Sequence, residues 1–239
     1  MYNMARPSGL IVVALCALAA APAAAGASVW TAPLSRCYVS VGPTVDQRQV
    51  VVVGAKGFSP LAPVDVSLDG QPADATDDGQ PDPFYADPAG EVNARLRVPY
   101  QPAGERPFSL SVNERLNPAN TVTVTSQVTA LAVELRPAQA RPSRRVQFSG
   151  RGFTKPAPVW GHYLYHGLLQ RTVRLARRPV GDCGTFVVRR RQIPVARPWI
   201  GKWTLQVDQQ KTYAAAPDSV FVRITISVDR RIRKPARHT

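Results

Sequence analysis

The sequence predicts an all-β protein that consists of two tandem antiparallel β-sandwich units after an N-terminal signal peptide. Three observations support this fold class. A segment is repeated at an offset of 95 residues, apolar and polar residues alternate with a period of two, and turn formers are frequent, with 23 Pro and 16 Gly in 239 residues. No stretch has the apolar period of a long amphipathic helix, which excludes the helical fold classes.

The repeat is the most informative of these features. Each half contains Gly-Phe followed by Ser or Thr and then, a few residues later, by Ala-Pro-Val. Three separate matches at one constant offset indicate a single structural unit that is used twice. The matching segments are 57–64 with 152–159, 98–99 with 193–194, and 108–112 with 203–207.

The predicted strands follow the alternation. In residues 92–98, the even-numbered residues are apolar and the odd-numbered ones are polar, which places the two sets on opposite faces of a strand. Short strands separated by Pro- and Gly-rich turns are typical of an antiparallel sandwich. The predicted strands are 49–53, 64–68, 92–98, 108–112 and 122–125 in the first unit, and 146–148, 160–165, 172–175, 186–190, 203–207 and 220–228 in the second.

The first 27 residues have the features of an export signal. Arg6 precedes an apolar run over residues 10–21, and small residues near Ala25 and Ala27 offer a cleavage site. The run is short for a membrane span, so we expect cleavage, the loss of Cys16 with the peptide, and no transmembrane segment afterwards. A lipid anchor at Cys16 and an uncleaved membrane anchor are the two alternatives.

The predicted organisation is a signal peptide (1–27), an acidic unit (28–129), a basic unit (130–229) and a basic tail (230–239). Residues 122–136 contain neither Gly nor Pro, and several of them are β-branched. The last strand of the first unit should therefore lead almost directly into the second unit, with the two units fixed end to end.

The repeated motif resembles a known family. Gly54 to Pro60 and Gly150 to Lys155 resemble the Gly-x-Gly-Phe-x-Pro signature of bacterial Ig-like (IPT/TIG-like) modules in secreted proteins. Lys155 and Gly161 depart from that pattern in the second copy. The resemblance implies an Ig-like fold and a role as a spacer, ligand-binding or adhesion module at the cell surface or outside the cell. It does not imply catalysis.

Charge is strongly segregated between the two halves. Residues 28–130 contain 7 Lys+Arg and 11 Asp+Glu, whereas residues 131–239 contain 22 Lys+Arg and 5 Asp+Glu. A field of this strength attracts polyanions, and outside a cell these are cell-wall polymers, acidic polysaccharides, nucleic acid and anionic lipids. The predicted contacts for an anionic polymer are Arg144, Arg145, Arg174, Arg177, Arg178, Arg189, Arg190 and Arg191.

The segregated charge has two alternative interpretations. The basic half of one molecule could bind the acidic half of another in an assembly, or the arginines could be a solvated surface on a spacer without a ligand. Polymer binding should not depend on the acidic half, whereas self-association should need both halves. Sequence-specific recognition of nucleic acid is not expected, because no recognition helix is predicted.

An acidic loop in the first unit raises the question of a metal. Asp74, Asp77, Asp78, Asp82 and Asp87 lie close together in sequence, and carboxylates are calcium ligands. An EF-type loop that begins at Asp74 fails, because Tyr85 stands where the bidentate Glu is needed. We therefore predict no cofactor and no metal site, although a calcium site of another type remains open.

Two cysteines remain after cleavage, one in each unit. Cys37 and Cys183 are the disulfide candidates, because unpaired thiols are uncommon outside the cell. In an extended tandem the two are expected to lie far apart, while a bridge needs Cα atoms within about 7 Å. An intramolecular bridge would then require the units to fold back on each other, and an intermolecular bridge is the alternative.

A row of rings occupies one predicted strand of the second unit. Trp160, His162, Tyr163, Tyr165 and His166 could stack on sugars if they are exposed, although a core role is more common. His162 and His166 are expected on one strand face, too far apart for a shared metal. The sequence has no nucleophile elbow, zinc motif or phosphate loop, so no enzyme and no catalytic residues are predicted.

Overall fold

The structure, a computed structural model, describes residues 28–76 and 78–229. The predicted signal peptide, Asp77 and the predicted basic tail lie outside the described residues. The strands of the first half are β1 (Val29–Trp30), β2 (Cys37–Ser40), β3 (Val50–Lys56), β4 (Pro63–Leu68), β5 (Gln71–Pro72), β6 (Phe84–Tyr85), β7 (Glu91–Arg97), β8 (Glu105–Glu114) and β9 (Asn117–Ala130). Those of the second half are β10 (Ala132–Arg136), β11 (Arg145–Arg151), β12 (Val159–Tyr165), β13 (Leu168–Ala176), β14 (Phe186–Arg191), β15 (Gly201–Asp208) and β16 (Val222–Val228).

Each half is a sandwich of two sheets. In the first half, the sheet β1-β3-β7 faces the sheet β2-β9-β8-β4-β5, in which β6 also pairs with β4. In the second half, β10-β11-β14 faces β13-β12-β15-β16. The strand pairs are antiparallel except that β2 runs parallel to β9. The predicted all-β fold class of two tandem sandwiches is therefore confirmed.

The apolar faces of the strands form a separate core in each half. Val51, Leu96 and Leu110 are among the buried residues of the first core, and Phe148, Trp203 and Leu205 among those of the second. These residues occupy the apolar positions of the predicted strands. The burial of one face of each sheet against the other supplies the main stabilising term of such a fold.

The repeated Gly-Phe motif forms the same local structure in both cores. Gly57 and Gly152 have φ of 96° and 88°, a backbone conformation that favours glycine, and Phe58 and Phe153 are buried. The amide of each Phe donates to a glycine carbonyl, at 3.2 Å in the first half and 3.1 Å in the second. The bend at each glycine thus inserts the following phenylalanine into the core.

The offset of 95 also relates two buried polar side chains. Glu114 accepts a hydrogen bond from the Ser59 amide at 3.1 Å, and Gln209 accepts one from the Lys155 amide at 3.3 Å. Each side chain fixes the loop that follows the Gly-Phe pair. Hydrogen bonds from Ser59 are the largest cause of the lowered pKa of Glu114.

The two halves meet at a short joint. Only Leu131 separates β9 from β10, and its amide donates to the Ser40 carbonyl of β2 at 3.1 Å. Gly152 packs against the same place, because a Cβ there would lie 3.0 Å from Leu131 Cδ1 and 3.3 Å from Val39 Cγ1. Leu131 and Gly152 therefore bring the second sandwich directly onto the end of the first.

Substitution of Gly152 by Ala is expected to destabilise the protein through this joint. The left-handed φ costs an alanine about 1–2 kcal/mol, and the contacts with Leu131 and Val39 should add to that cost. Gly167→Ala is the matched control, since Gly167 has a φ of 79° and open space around its Cβ position. Chemical unfolding should show a larger loss for Gly152→Ala, and equal losses would mean that the joint is loosely packed.

Candidate anion-binding surface

The eight arginines predicted to bind a polymer are all exposed on the second half. Arg144 precedes β11 and Arg145 begins it, Arg174 lies in β13, Arg177 and Arg178 follow β13, and Arg189, Arg190 and Arg191 end β14. The strand register decides which of them are neighbours.

Three of the arginines share one outward face of the sheet β10-β11-β14. Phe148 lies opposite Val188 across the β11–β14 pair, and both pack towards the core. Alternation along the strands then turns Arg145, Arg189 and Arg191 to the outside. Arg145 lies directly opposite Arg191, and Arg189 lies opposite Gln147. We call the exposed side chains of Arg145, Arg189 and Arg191 the arginine face.

In the part of the chain that the structure describes, no carboxylate pairs with the arginine face. Within the described ranges 28–76 and 78–229, none of its three side chains forms an ion pair. Glu134, on β10 of the same sheet, pairs instead with Arg136 at 3.1 Å and Arg151 at 3.8 Å. Like charges directly opposite each other destabilise a sheet, so the Arg145–Arg191 pair carries an electrostatic cost that a bound anion would relieve.

Two of the remaining predicted arginines, Arg190 and Arg174, lie elsewhere on the sandwich. Arg190 reaches from β14 to the opposite sheet, where it donates to the Leu175 carbonyl at 3.4 Å, and it also donates to the Arg189 carbonyl at 3.1 Å. Arg174 lies opposite Trp160 on the outer face of the other sheet. The structure therefore does not bring all eight side chains into one surface, and the role of Arg190 is at least partly structural.

The two candidate cysteines form a disulfide bond. Cys37 and Cys183 have an S–S distance of 2.01 Å and Cα atoms 5.1 Å apart. The expectation that a tandem would hold them far apart is wrong. Cys37 begins β2, which runs beside the end of β9, and the Cys183 carbonyl accepts from the Gly152 amide at 3.0 Å, so both cysteines lie at the joint. The Arg36–Asp182 ion pair, at 3.4 Å, joins the halves beside them.

The carboxylates of the acidic loop accept hydrogen bonds from nearby backbone amides. Asp74 accepts from the Gly79 amide at 2.7 Å, and Asp82 accepts from the Ala75 and Thr76 amides at 2.6 and 3.0 Å. Asp87 accepts from the Ala89 and Glu91 amides, both at 2.8 Å. Among the residues that the structure describes, no group of three or more potential ligands is arranged to hold a metal ion.

The ring-rich strand β12 does not present an exposed aromatic row. Tyr163 is fully buried in the core, and this burial raises the pKa of its hydroxyl. His162 is also buried, and His166 lies in the turn after β12 with a φ of 49°. The prediction that the two histidines share a strand face is therefore wrong, while Trp160 and Tyr165 of β12 are half-buried.

His162 instead belongs to a buried polar network. Its Nε2 lies 3.2 Å from Asp208 Oδ1 and 3.1 Å from the Gln210 carbonyl oxygen, so this nitrogen carries the proton that both acceptors need. Its Nδ1 lies 2.9 Å from Thr172 Oγ1. Gln206 donates to Asp208 Oδ2 at 2.9 Å.

This network attaches the segment 209–221 to the outer face of the sheet. Burial on its own raises the pKa of Asp208, but hydrogen bonds from His162, Gln206 and the Gln210 amide hold the pKa below its ordinary value. Gln206 also donates to the Ala214 carbonyl at 2.9 Å, and the Tyr213 ring lies 5.7 Å from the His162 ring. The network joins three strands, β12, β13 and β15, to the segment that covers them.

Comparison with known proteins finds similar chains only among solved structures. No family model and no curated protein sequence matches this chain. Solved structures that are similar include the Clostridium thermocellum CbhA fibronectin(III)-like modules, at 12% identity and a TM-score of 0.25 over 89% of this chain and all of that one. The titin Ig tandem A164-A165 matches at 9% identity and a TM-score of 0.28, over 85% of this chain and 97% of that one.

Another similar structure is that of SGBP-B from a Bacteroides ovatus mixed-linkage glucan utilization locus, in complex with a heptasaccharide. Identity is 13% and the TM-score is 0.24, over 84% of this chain and 47% of that one. Within the described part of the chain, no helix is long and apolar enough to cross a membrane.

Proposed function

We propose that this protein is a secreted or cell-surface binding protein without catalytic activity, built of IPT/TIG-like modules, that holds an anionic polymer on its second half. The ligand class is a cell-wall polymer or an acidic polysaccharide. The carrying observation is the arginine face, where Arg145 and Arg191 lie opposite each other with no acidic partner among the residues that the structure describes. The predicted export signal supports the extracellular location.

The geometry of the arginine face suits a chain of repeated charges. Arg189 and Arg191 are two residues apart on β14, which separates their Cα atoms by about 6.8 Å. Arg145 flanks Arg191 on the neighbouring strand. Guanidinium groups on a rigid sheet bind phosphate, sulfate or carboxylate groups with two hydrogen bonds each. Binding to such a surface depends on the spacing of the anionic groups along the ligand and not on the order of its units, as expected for a polymer ligand.

The supply of acidic groups also favours an external ligand. The second half has 22 basic residues and 5 acidic ones. Of the five, Glu134 is paired, Asp208 is buried and Asp182 binds Arg36 of the first half. Little negative charge is left within the second half to screen the arginine face, so its field extends into solvent.

Replacing Arg189 and Arg191 by Gln is expected to abolish retention on immobilised heparin and teichoic acid at physiological salt. The slope of log K against log salt concentration should decrease in magnitude by about 2, because each contact with a phosphate group contributes about 1 to this slope. The double variant Lys202→Gln/Lys211→Gln is the matched control. It removes two exposed charges from the same half but leaves the arginine face intact.

Equal losses in the two double variants would show diffuse attraction and not a site. Absence of retention for the unmodified protein would contradict the proposal and leave the arginines as solvated surface. Sedimentation velocity on the same samples tests the assembly alternative. Salt-sensitive oligomers that form without any polymer would favour binding between the acidic and basic halves of different molecules.

A further inference from the structure

A cavity of about 1110 Å³ lies at the end of the second half that is farther from the disulfide bond. Three segments form it: the loop 139–143 before β11, the segment 195–200 before β15, and the end of β16. We call it the distal cavity. Its volume is in the range of ligand pockets or slightly above it.

Hydrogen bonds hold the walls of the distal cavity in place. Gln192 is buried and donates through Nε2 to the Ala138 carbonyl at 3.0 Å, and its amide donates to the Arg144 carbonyl at 2.9 Å. The Ile193 amide donates to the Pro142 carbonyl at 3.0 Å. Two of the three walls are thus linked before any ligand arrives, which lowers the entropic cost of binding.

The charged groups of the cavity favour an anion. Arg141 and Arg197 line it, and neither forms an ion pair within the part of the chain that the structure describes. Asp229 is the acidic residue in its lining. Two guanidinium groups in one concave site can bind a carboxylate or phosphate group that a single exposed arginine would hold weakly.

The rest of the lining combines apolar and hydroxyl groups. Pro142, Val195 and Ile200 offer apolar surface, while Ser143 and Ser227 offer hydroxyl groups. A sugar ring needs both kinds of surface, because it has apolar C–H faces and hydroxyl groups around its edge. The lining therefore fits a sugar better than a fully apolar ligand or a bare anion.

An exposed tryptophan adjoins this lining. Trp199 precedes Ile200, and about half of its surface (54%) is exposed. Its ring packs on Tyr165 and Trp203, with centroids 5.2 and 6.2 Å away. Tyr165 also donates to the Ile200 carbonyl at 2.8 Å. The aromatic group is rigidly held, and its fluorescence should respond to a ligand at the neighbouring Ile200.

We propose that the distal cavity binds a saccharide unit that carries a carboxylate or phosphate group, with Arg141 and Arg197 on the anionic group. This site is separate from the arginine face and uses none of its residues. It would give the protein selectivity for a sugar structure, whereas the arginine face supplies attraction by charge.

The test is calorimetric titration of the full protein, followed in parallel by tryptophan fluorescence. The probes are a tetrasaccharide of alternating glucuronate and N-acetylglucosamine, glucose 6-phosphate, neutral chitotetraose and inorganic phosphate. At least one anionic sugar should bind with a Kd below about 1 mM. Arg141→Gln and Arg197→Gln should each weaken this binding about tenfold, with thermal unfolding unchanged.

The double variant Arg189→Gln/Arg191→Gln is the control and should bind the anionic sugar normally. Equal weakening in this control would overturn the inference, since the effect would then be one of general charge. Equal binding of chitotetraose or of inorganic phosphate would also overturn it, as would the absence of binding by both anionic sugars. The Arg141→Gln variant should still be retained on heparin, because its arginine face is intact. Failure of the distal-cavity proposal can therefore be distinguished from failure of the proposed function.

Discussion

Replacement of Cys37 and Cys183 by Ser is expected to lower the free energy of unfolding by about 2–5 kcal/mol. The bond links residues 146 positions apart, and it lies at the joint where only Leu131 connects the two sandwiches along the chain. Loss of the bond removes the second covalent connection between the halves. Because each half has its own core, the halves should then unfold in two separate transitions.

Guanidinium unfolding followed by tryptophan fluorescence and by circular dichroism measures this effect. The two signals should coincide for the oxidised protein and separate for the double variant. Dithiothreitol should separate the two unfolding signals in the unmodified protein and leave those of the double variant unchanged. The double variant is therefore the control for reduction of the disulfide bond. A loss below about 1 kcal/mol would show that noncovalent packing at the joint suffices.

The strands that sequence could predict are those whose pattern is local. A run of β-branched residues identified β3, and alternation identified β4 and β7 to β9 in the first half and the principal strands of the second. The repeat added information that alternation lacks, because it singled out Gly57, Phe58 and their counterparts before any contact was known. Their equivalent φ angles and burial confirm that the repeated motif is structural.

The position of the disulfide could not be predicted because it depends on a nonlocal strand pair. Cys37 belongs to β2, a strand of four residues with no alternation to reveal it. The parallel pairing of β2 with β9 places Cys37 opposite Gln127, three residues from the end of β9 and therefore at the joint. Because β2 was not predicted, Cys37 was wrongly expected to lie far from Cys183.

The register also changes the composition of the arginine surface. Sequence proximity groups Arg189, Arg190 and Arg191 together, but alternation turns Arg190 away from the other two and towards the opposite sheet. Conversely, Arg145 and Arg191 are distant in sequence and adjacent in the sheet. Composition could predict that the second half is basic, whereas only strand pairing decides which charges act together.

The His162–Asp208 pair was missed for the same reason, since nothing in the sequence connects two residues on separate strands. Both side chains are fully buried, and loss of a hydrogen bond to a buried carboxylate typically costs about 1.5–3 kcal/mol. His162→Ala is therefore expected to lower the free energy of unfolding by about 2–3 kcal/mol at pH 7. It should also release the segment 209–221, detectable as faster amide hydrogen exchange at Gln210 and its neighbours.

Thr172→Val is the matched control for His162→Ala. It keeps the shape of the side chain and removes only the hydroxyl group beside His162 Nδ1, so it should cost about 1 kcal/mol. If His162→Ala cost no more than this control, the pair would not be a main source of stability. Equal exchange rates in the two variants would show that the network does not hold the segment.

The pH dependence tests the role of the Asp208 carboxylate directly. The pKa of Asp208 is lowered in the folded protein, so its contribution to stability is complete above the unfolded pKa of about 3.9 and disappears as the pH falls through the folded value. The stability difference between the unmodified protein and Asp208→Asn should therefore be constant near neutral pH and shrink below about pH 4. Urea unfolding from pH 2.5 to 7 measures this difference. A difference that persists undiminished at the acid end would mean that the hydrogen-bonded shape of the side chain, and not its charge, stabilises the outer face of the sheet.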